Sequence, residues 1–179
     1  MDFKGSRTEA NLMAAFAGES QARNKYTFYA SQARKDGYIQ IAKIFDETAS
    51  NEKEHAELWF KALHDNSMPG TPDNLADAAA GEHYEATEMY VNFAKEAREE
   101  GFTQIAAVFE MVAKIESSHE QRFNTLLDNL NTGKVFKRAP GTVWVCLNCG
   151  HIYIGETPPA ICPVCKHPQA YFQMHVEDY

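Results

Sequence analysis

The feature that most constrains the fold is an internal repeat of helical segments. Residues 33–45 (ARKDGYIQIAKIF) align with residues 97–109 (AREEGFTQIAAVF), and seven of these thirteen positions are identical. Each segment has the pattern of a helix end, a glycine turn and the start of the next helix. The repeat predicts two similar helical hairpins related by a pseudo-two-fold axis, so a feature on that axis would be built twice.

Apolar residues recur at helical spacing through the first 131 residues and predict four helices of about 25–30 residues each. The third helix is expected to be continuous, with Thr71 as its N-cap and Pro72 at its first position. The predicted boundaries are a capping region at Ser6, a second helix from Ile39 to Leu63, a break at Gly101 and an end near Asn131.

The strongest chemical signal is a Glu-x-x-His motif that occurs once in each half of the repeat. Glu52 and His55 form the first copy, and Glu116 and His119 fall at the same positions of the second copy. Residues three apart on a helix lie on one face, about 5–6 Å apart. Each pair can therefore bind a metal ion together.

One further glutamate in each half, Glu19 or Glu82, follows an Ala-Gly dipeptide on the inward face of its helix. One glutamate from each of two helices, with Glu-x-x-His from each of the other two, is the ligand set of ferritin-like di-iron proteins. Carboxylates can bridge two ions, and neutral imidazole suits iron. The alternative, a row of solvated charges, is disfavoured because each unpaired carboxylate on a core face costs several kcal/mol.

Three more side chains are candidates for the same site. Glu85 lies one turn after the third-helix glutamate, where the first half has alanine, and it offers one iron a choice between a carboxylate and His55. This choice predicts a redox-linked ligand exchange, and the alternative is that Glu85 only hydrogen-bonds to the site. Tyr26 and Tyr90 are expected either to donate hydrogen bonds to ligand carboxylates or to be ordinary buried aromatics.

All four cysteines lie after residue 145, in two C-x-x-C pairs separated by twelve residues. Their spacing predicts a closed four-thiolate site for zinc or iron. Iron is favoured because a redox-active di-iron site needs single electrons. The four expected ligands are Cys146, Cys149, Cys162 and Cys165. The apolar side chains expected to surround the metal are Trp144, Tyr153, Pro163 and Phe172.

The expected domains are residues 1–136 and residues 137–179, and residues 137–141 form the linker into the second domain.

Charge and hydropathy exclude several classes of partner. The net charge of −8 argues against nucleic acid and anionic membranes. We find no run of 18 apolar residues and no signal-peptide pattern, so no membrane span is expected. Cysteines confined to two knuckles indicate metal binding rather than a disulfide framework. These observations together predict a cytoplasmic protein.

The chain resembles the rubrerythrin family over essentially its full length. The residues that carry the resemblance are AGESQAR at 17–23, EKEH at 52–55, GEHYE at 81–85, ESSH at 116–119 and the two cysteine knuckles. The resemblance implies a ferritin-like four-helix bundle with a di-iron centre, followed by a rubredoxin-like domain with one thiolate-bound iron. It also implies reduction of hydrogen peroxide to water, with electrons from NAD(P)H through a separate reductase or a rubredoxin.

The need for a short electron-transfer distance predicts at least a homodimer, in which the cysteine module of one subunit docks on the bundle of another. The link between the second and third helices has roughly eight residues and spans at most ~26–29 Å. In a ferritin-like bundle the second and third helices run parallel, so the link must run about the same distance along the bundle and also shift sideways by ~10 Å. Exchange of hairpins between two chains would relieve this constraint. The alternative is an unswapped bundle whose third helix starts late.

Two other functions share part of this pattern. A ferroxidase or iron-storage protein needs the same bundle and ligands but does not need the cysteine module or Glu85. A sensor or scaffold would carry structural zinc in the four-thiolate site, and it would lack the visible absorption of ferric thiolate. Rapid peroxide consumption without iron accumulation would distinguish the peroxidase from the storage protein.

Overall fold

A computed structural model describes residues 2–176 and divides the chain after Pro69 into two compact units. The first unit is a helical hairpin, and the second contains another hairpin followed by a small β module. This organisation confirms the predicted fold class of four long helices with a C-terminal cysteine-bearing β region. The predicted domain boundary at residues 136 and 137 stays a prediction. None of the helices within residues 2–176 is both long and apolar enough to cross a membrane.

The first hairpin consists of α1 (Arg7–Lys35) and α2 (Ile39–Leu63). The expected cap is present, because the Glu9 amide donates a hydrogen bond of 3.1 Å to the Ser6 hydroxyl. At the turn Gly37 has a φ of 86°, in the left-handed region that glycine adopts without strain. The residue after this glycine donates its amide back to the Ala33 carbonyl at 2.8 Å, which completes a Schellman motif.

The second hairpin differs from the prediction in two respects. Its first arm is interrupted, since α3 (Thr71–Tyr84) passes into a π-helical turn (Glu85–Met89) before α4 (Tyr90–Glu99) begins. The expectation of one continuous helix was therefore wrong. The N-cap is Gly70 rather than Thr71, because the Gly70 carbonyl accepts the first helical hydrogen bond, and Thr71 is already helical. The second arm is α5 (Thr103–Asn131).

Small residues hold each hairpin together at equivalent positions of the repeat. The alanines beside the glycine turn of each hairpin are almost completely buried, which lets the two helix backbones approach closely. An arginine near the end of the first arm also pairs with an acid on the second arm in both hairpins. The equivalent pairs are Ala30 with Ala94, Ala33 with Ala97, Ala42 with Ala106, and the ion pairs Arg34–Asp46 and Arg98–Glu110.

The C-terminal module is a three-stranded antiparallel sheet with β1 (Val143–Cys146) between β2 (Ile152–Ile154) and β3 (Phe172–Met174). Trp144 and Phe172 are buried against two of the cysteines, as predicted for an apolar shell. The other two predicted shell residues are exposed, and Pro158 is buried instead. Tyr153 lies on an outer strand and Pro163 in a knuckle loop, so neither side chain reaches the interior.

Trp144 is predicted to control the stability of this module. It has no exposed surface, and its indole N–H donates a hydrogen bond of 2.9 Å to the Gly155 carbonyl. Replacing Trp144 with alanine should reduce the free energy of unfolding of the module by about 3–5 kcal/mol. Replacing it with phenylalanine should cost less, since most of the ring volume is kept. Thermal unfolding followed by the visible absorption of the metal-loaded module would measure both effects.

Candidate metal centres

Three ligand-type side chains converge within the first hairpin. Glu19 comes from α1, while Glu52 and His55 come from adjacent turns of α2. The His55 Nδ1 atom lies 2.8 Å from a Glu52 carboxylate oxygen and 3.8 Å from one of Glu19. One ligand atom from each of the three lies within 4.8 Å of the others. We call this group the first half-site.

The second hairpin repeats this arrangement. Glu82 comes from α3, and Glu116 and His119 come from α5. The His119 Nδ1 atom lies 2.8 Å from a Glu116 oxygen and 3.5 Å from a Glu82 oxygen. These atoms also fall within 4.8 Å of one another and form the second half-site. The near-identical histidine–glutamate distances in the two hairpins follow from the repeat.

The electrostatics of the second half-site favour a bound cation. Loss of hydration and the neighbouring Glu116 carboxylate together raise the pKa of Glu82 above its usual value. Crowded carboxylates that lose hydration are costly without a compensating positive charge. A divalent ion would supply that charge, and oxygen with imidazole nitrogen is a donor set that iron accepts. The residues present therefore fit an iron site.

The four cysteines form a third cluster, in which all sulfur atoms lie within 4.8 Å of one another. The Cys146–Cys165 and Cys149–Cys162 sulfur separations are both 3.7 Å. A tetrahedron with metal–sulfur bonds near 2.3 Å has an edge of about 3.8 Å. The cluster therefore has the dimensions of a four-thiolate metal site.

The protonation of these thiols also suits metal binding. The His167 backbone amide lowers the pKa of Cys165 to about 5, so its thiolate is present at neutral pH. For Cys149, the His151 backbone lowers the pKa, but burial and the neighbouring sulfurs outweigh it and raise the pKa to about 12. Four thiolates cannot coexist without a cation, so a metal ion must displace the remaining protons.

Comparison with known proteins agrees with all three clusters. The family model described as Rubrerythrin matches residues 10–127, with a second match over residues 73–143. The chain belongs to the rubrerythrin family. The model of the rubrerythrin rubredoxin-like domain matches residues 144–173, which include all four cysteines. The family binds iron, so the clusters are the residues of a di-iron carboxylate site and of a rubredoxin-like site.

Several named relatives of the rubrerythrin family resemble the chain over nearly its whole length. Rubrerythrin-1 of Clostridium acetobutylicum is 47% identical, over 98% of this chain and 98% of that protein. Rubrerythrin of Porphyromonas gingivalis is 49% identical, over 98% of this chain and 94% of that protein. A solved structure of nigerythrin in a mixed-valence state is 32% identical, covers 94% of this chain and 86% of that chain, and has a TM-score of 0.36.

Of the remaining predicted site residues, Glu85 and Tyr90 lie beside the second half-site, whereas Tyr26 lies among aromatic rings of the first hairpin. Glu85 begins the π turn and is half-buried. Burial, followed by the charges of Glu85, Glu116 and Glu82, raises the pKa of Tyr90, which keeps its phenol protonated. Tyr26 packs against the Phe45 ring, with centroids 6.1 Å apart. The roles of these three side chains stay predictions.

The helical spacing of the apolar residues does not predict the π turn, although the sequence contains a signal for it. Glu19 and Tyr26 are seven positions apart, whereas Glu82 and Tyr90 in the second hairpin are eight positions apart. One extra residue in an α-helix rotates everything after it by about 100°. A single π turn absorbs that residue and restores the register. The rubrerythrin repeat thus predicts the interruption once its two arms are aligned residue by residue.

Deleting Glu88, an exposed residue of the π turn, tests this explanation. The shortened arm should become a regular α-helix with Tyr90 still facing α5, so the melting temperature should stay within a few degrees or rise. Deleting exposed Lys25 from the first hairpin is the matched control. It should lower the melting temperature by more than ten degrees, roughly 2 kcal/mol or more, because no π turn absorbs the change. Equal losses in the two variants would contradict the explanation.

Proposed function

We propose that this protein is a peroxidase that reduces hydrogen peroxide to water. The observation that carries the proposal is the presence, in one chain, of two matching half-sites and a four-cysteine centre. A redox-active carboxylate site needs repeated delivery of single electrons, and a thiolate-bound iron suits that role. A protein that only stored iron would have no use for the cysteine module.

Iron held by the two half-sites and by the four cysteines would supply the two electrons that reduce the peroxide, and the protein's own side chains position the groups and hold the protons. Reduction of one peroxide to two waters consumes two protons as well as two electrons. Tyr90 holds a phenol proton beside Glu85, Glu82 and Glu116, because burial and these charges raise its pKa. We assign Tyr90 as a proton donor to the site and Tyr26 as its counterpart in the first hairpin.

Glu85 and His55 are proposed as alternative ligands of one ion. Glu85 is the first residue of a π turn, and π turns are frequent at functional sites. The His55 side chain is 50% exposed in its hairpin. A carboxylate suits the harder ferric ion, whereas imidazole suits the ferrous ion. The exchange would let the site change its charge as the electrons leave.

The electron source is proposed to be NAD(P)H, acting through a separate reductase or a rubredoxin on the cysteine-bound iron. Exposed apolar residues beside the knuckles, Leu147 and Val164, provide an uncharged surface close to the sulfur atoms. The cytoplasm is the proposed compartment, since it keeps thiols reduced. Protection against oxidative stress is the corresponding physiological role.

Stopped-flow reaction of the reduced, iron-loaded protein with hydrogen peroxide tests the activity, with metal analysis on the same sample. We expect rapid peroxide loss and repeated turnover with a reductase and NADH, without iron accumulating beyond the two kinds of site. The ferroxidase alternative predicts slow peroxide consumption together with iron accumulation. That result would reject the peroxidase proposal.

We further propose that the working unit is a homodimer with exchanged hairpins. The link from α2 to α3 is His64–Gly70, and its first four residues form a turn. Its Ser67 amide donates to the His64 carbonyl at 3.0 Å, and Asp65 and Asn66 both have left-handed φ values. A link that folds into a turn spans much less than its contour length.

The lengths of α2 and α3 show how far the link would have to reach within one chain. α2 continues eight residues past His55, and α3 starts eleven residues before Glu82, which is about 12 Å and 16 Å of helix respectively. If α2 and α3 run parallel, as in ferritin-like bundles with one long crossover, the link must cross about 28 Å. A turn-containing link of seven residues does not span that distance. The geometry therefore supports pairing of the first half-site of one chain with the second half-site of another.

Complementation between two inactive variants tests the exchange. One variant carries E52A and H55A, and the other carries E116A and H119A. With exchanged hairpins, the mixed dimer contains one site with both halves intact, so co-expressed and tag-purified mixed dimers should recover about half of the native activity and iron content. Without exchange, every site in the mixed dimer has one damaged half. Mixed dimers that recover neither activity nor iron would therefore reject the proposal.

A further inference from the structure

The indole N–H of Trp59 is buried and has no hydrogen-bond partner. Its Nε1 atom is inaccessible to solvent, and no acceptor lies within hydrogen-bond distance of it among residues 2–176. The other tryptophan, Trp144, is paired, because its Nε1 atom donates to the Gly155 carbonyl at 2.9 Å. Buried polar groups nearly always have a partner, so an unpaired one needs an explanation. The Trp59 donor therefore points to a nearby group that can move to accept its hydrogen bond.

Two contacts between α1 and α2 locate Trp59 beside the first half-site. Before it in α2, the His55 Nδ1 atom lies 3.8 Å from a Glu19 oxygen. Directly after it, the Phe60 ring packs against Phe16, with centroids 5.6 Å apart. Trp59 therefore lies opposite the segment of α1 that these two contacts enclose. It also follows the histidine by one turn, on the same face of α2.

Helix geometry directs the side chains of Trp59 and Glu19 toward each other. A side chain on a helix leans toward the N-terminus of its own helix. Trp59 therefore leans back over the turn that carries His55. Because α1 runs in the opposite direction to α2, Glu19 leans toward the level of Trp59. The indole and the carboxylate thus converge on the same part of the hairpin.

Glu19 is the acceptor that this geometry favours. Leu12 and Ala15, which precede it on the same face of α1, have no polar side-chain atom. The neighbouring Ser20 hydroxyl donates to the Phe16 carbonyl at 2.7 Å. A carboxylate has two oxygens, so one can bind a metal ion while the other accepts the indole N–H. A group from another chain could not reach the indole nitrogen without displacing a side chain, since that atom is already buried.

We propose that Trp59 is a positioning residue of the first half-site, whose indole N–H donates a hydrogen bond to the Glu19 carboxylate when that carboxylate binds a metal ion. The bond occupies one carboxylate oxygen and so fixes which oxygen faces the ion. The second half-site has no equivalent donor, because Phe123 stands at the corresponding position of the repeat. The inference rests on metal binding by the half-sites and not on peroxide reduction.

NMR spectroscopy of the full-length protein labelled with nitrogen-15 provides the first test. The chain has two tryptophans, so W59F identifies the indole signal of Trp59 by its loss. Zinc is a suitable diamagnetic probe, because it binds cysteine sulfur, histidine nitrogen and carboxylate oxygen. Filling the half-sites, after the cysteine site, should shift the Trp59 indole proton downfield, since hydrogen bonds to carboxylates are strong, and leave the Trp144 signal in place. An unshifted Trp59 signal would overturn the inference.

A crystal structure of the fully zinc-loaded protein identifies the acceptor. We expect a Glu19 carboxylate oxygen within about 3.2 Å of the Trp59 Nε1 atom. The other oxygen of that carboxylate should bind zinc. A different acceptor for the indole N–H, or an indole that still has no acceptor, would overturn the inference.

Matched aromatic variants test whether this bond supports metal binding. W59F removes the donor but keeps a ring, and it should weaken half-site zinc binding by about tenfold or more. F123L changes the equivalent ring of the second hairpin, which carries no donor, and should leave zinc binding nearly unchanged. Competition calorimetry measures the affinities, and circular dichroism checks that the helices remain.

Equal losses in W59F and F123L would indicate an effect of core packing alone and would overturn the inference, as would native affinity in W59F. Zinc has no redox chemistry. Failure of the peroxidase proposal and failure of this inference are therefore separable results.

Discussion

Replacing His119 with alanine should reduce peroxide turnover by at least about 100-fold, because mutation even of groups that only support metal ligands costs 10–100-fold. The substitution removes the only nitrogen donor of the second half-site and leaves the Glu82 and Glu116 carboxylates without it. The measurement is peroxide consumption at saturating reductase, together with iron content per chain. We expect the iron content of the carboxylate site to fall in parallel with the activity.

His83 offers the matched control for this prediction. It lies beside Glu82 in sequence, but its imidazole is directed to Glu120, at 3.1 Å, and not to the half-site. H83A should therefore keep the native iron content and at least half of the turnover, since an exposed pair contributes little. If H119A kept full iron content and full turnover, the assignment of the second half-site would be wrong.

Replacing Cys162 with serine should separate the two stages of the reaction. Cys162 is completely buried and belongs to the four-sulfur cluster. Its loss should abolish the visible absorption of ferric thiolate and lower steady-state turnover with NADH and a reductase by at least about 100-fold. A single turnover of chemically reduced protein with peroxide should stay within about twofold, because the carboxylate site is unchanged.

V164S is the control for the cysteine variant. Val164 lies between Cys162 and Cys165 in the knuckle, is 63% exposed and contributes no metal ligand. It should keep the colour of the bound iron and most of the steady-state rate. If C162S turned over at the native rate with NADH, electrons would be reaching the carboxylate site by another route, and the role proposed for the cysteine module would be rejected.

Much of the fold follows from short-range patterns that can be read directly from the sequence. The predicted ends of α2, at Ile39 and Leu63, coincide with the observed ends. The turn glycines Gly37 and Gly101 both adopt left-handed conformations and close identical hydrogen-bonded caps. Six of the seven predicted carboxylate-site ligands come together in two groups of three, one in each hairpin, because i, i+3 spacing and the repeat together determine which side chains meet. The seventh, Glu85, belongs to neither group.

The features that escaped prediction depend on information that helical periodicity does not contain. The π turn depends on a one-residue difference between the repeats, which a hydrophobic pattern averages out. The N-cap at Gly70 depends on backbone conformation and not on a side-chain hydrogen bond. The exposed positions of Tyr153 and Pro163 depend on strand order and loop direction in the small module. These three features can be predicted only when the three-dimensional arrangement of the chain is known.

The most direct test of the central claim is Mössbauer spectroscopy of the iron-loaded, oxidised protein, with an iron count per chain. The account predicts three irons per chain, with one in the four-thiolate site and two as an antiferromagnetically coupled pair bridged by carboxylates. H55A and H119A should each destroy the coupled signal and leave the thiolate signal intact. Two uncoupled, isolated ferric ions in the unmutated protein would contradict the claim that the duplicated half-sites join into one two-iron centre.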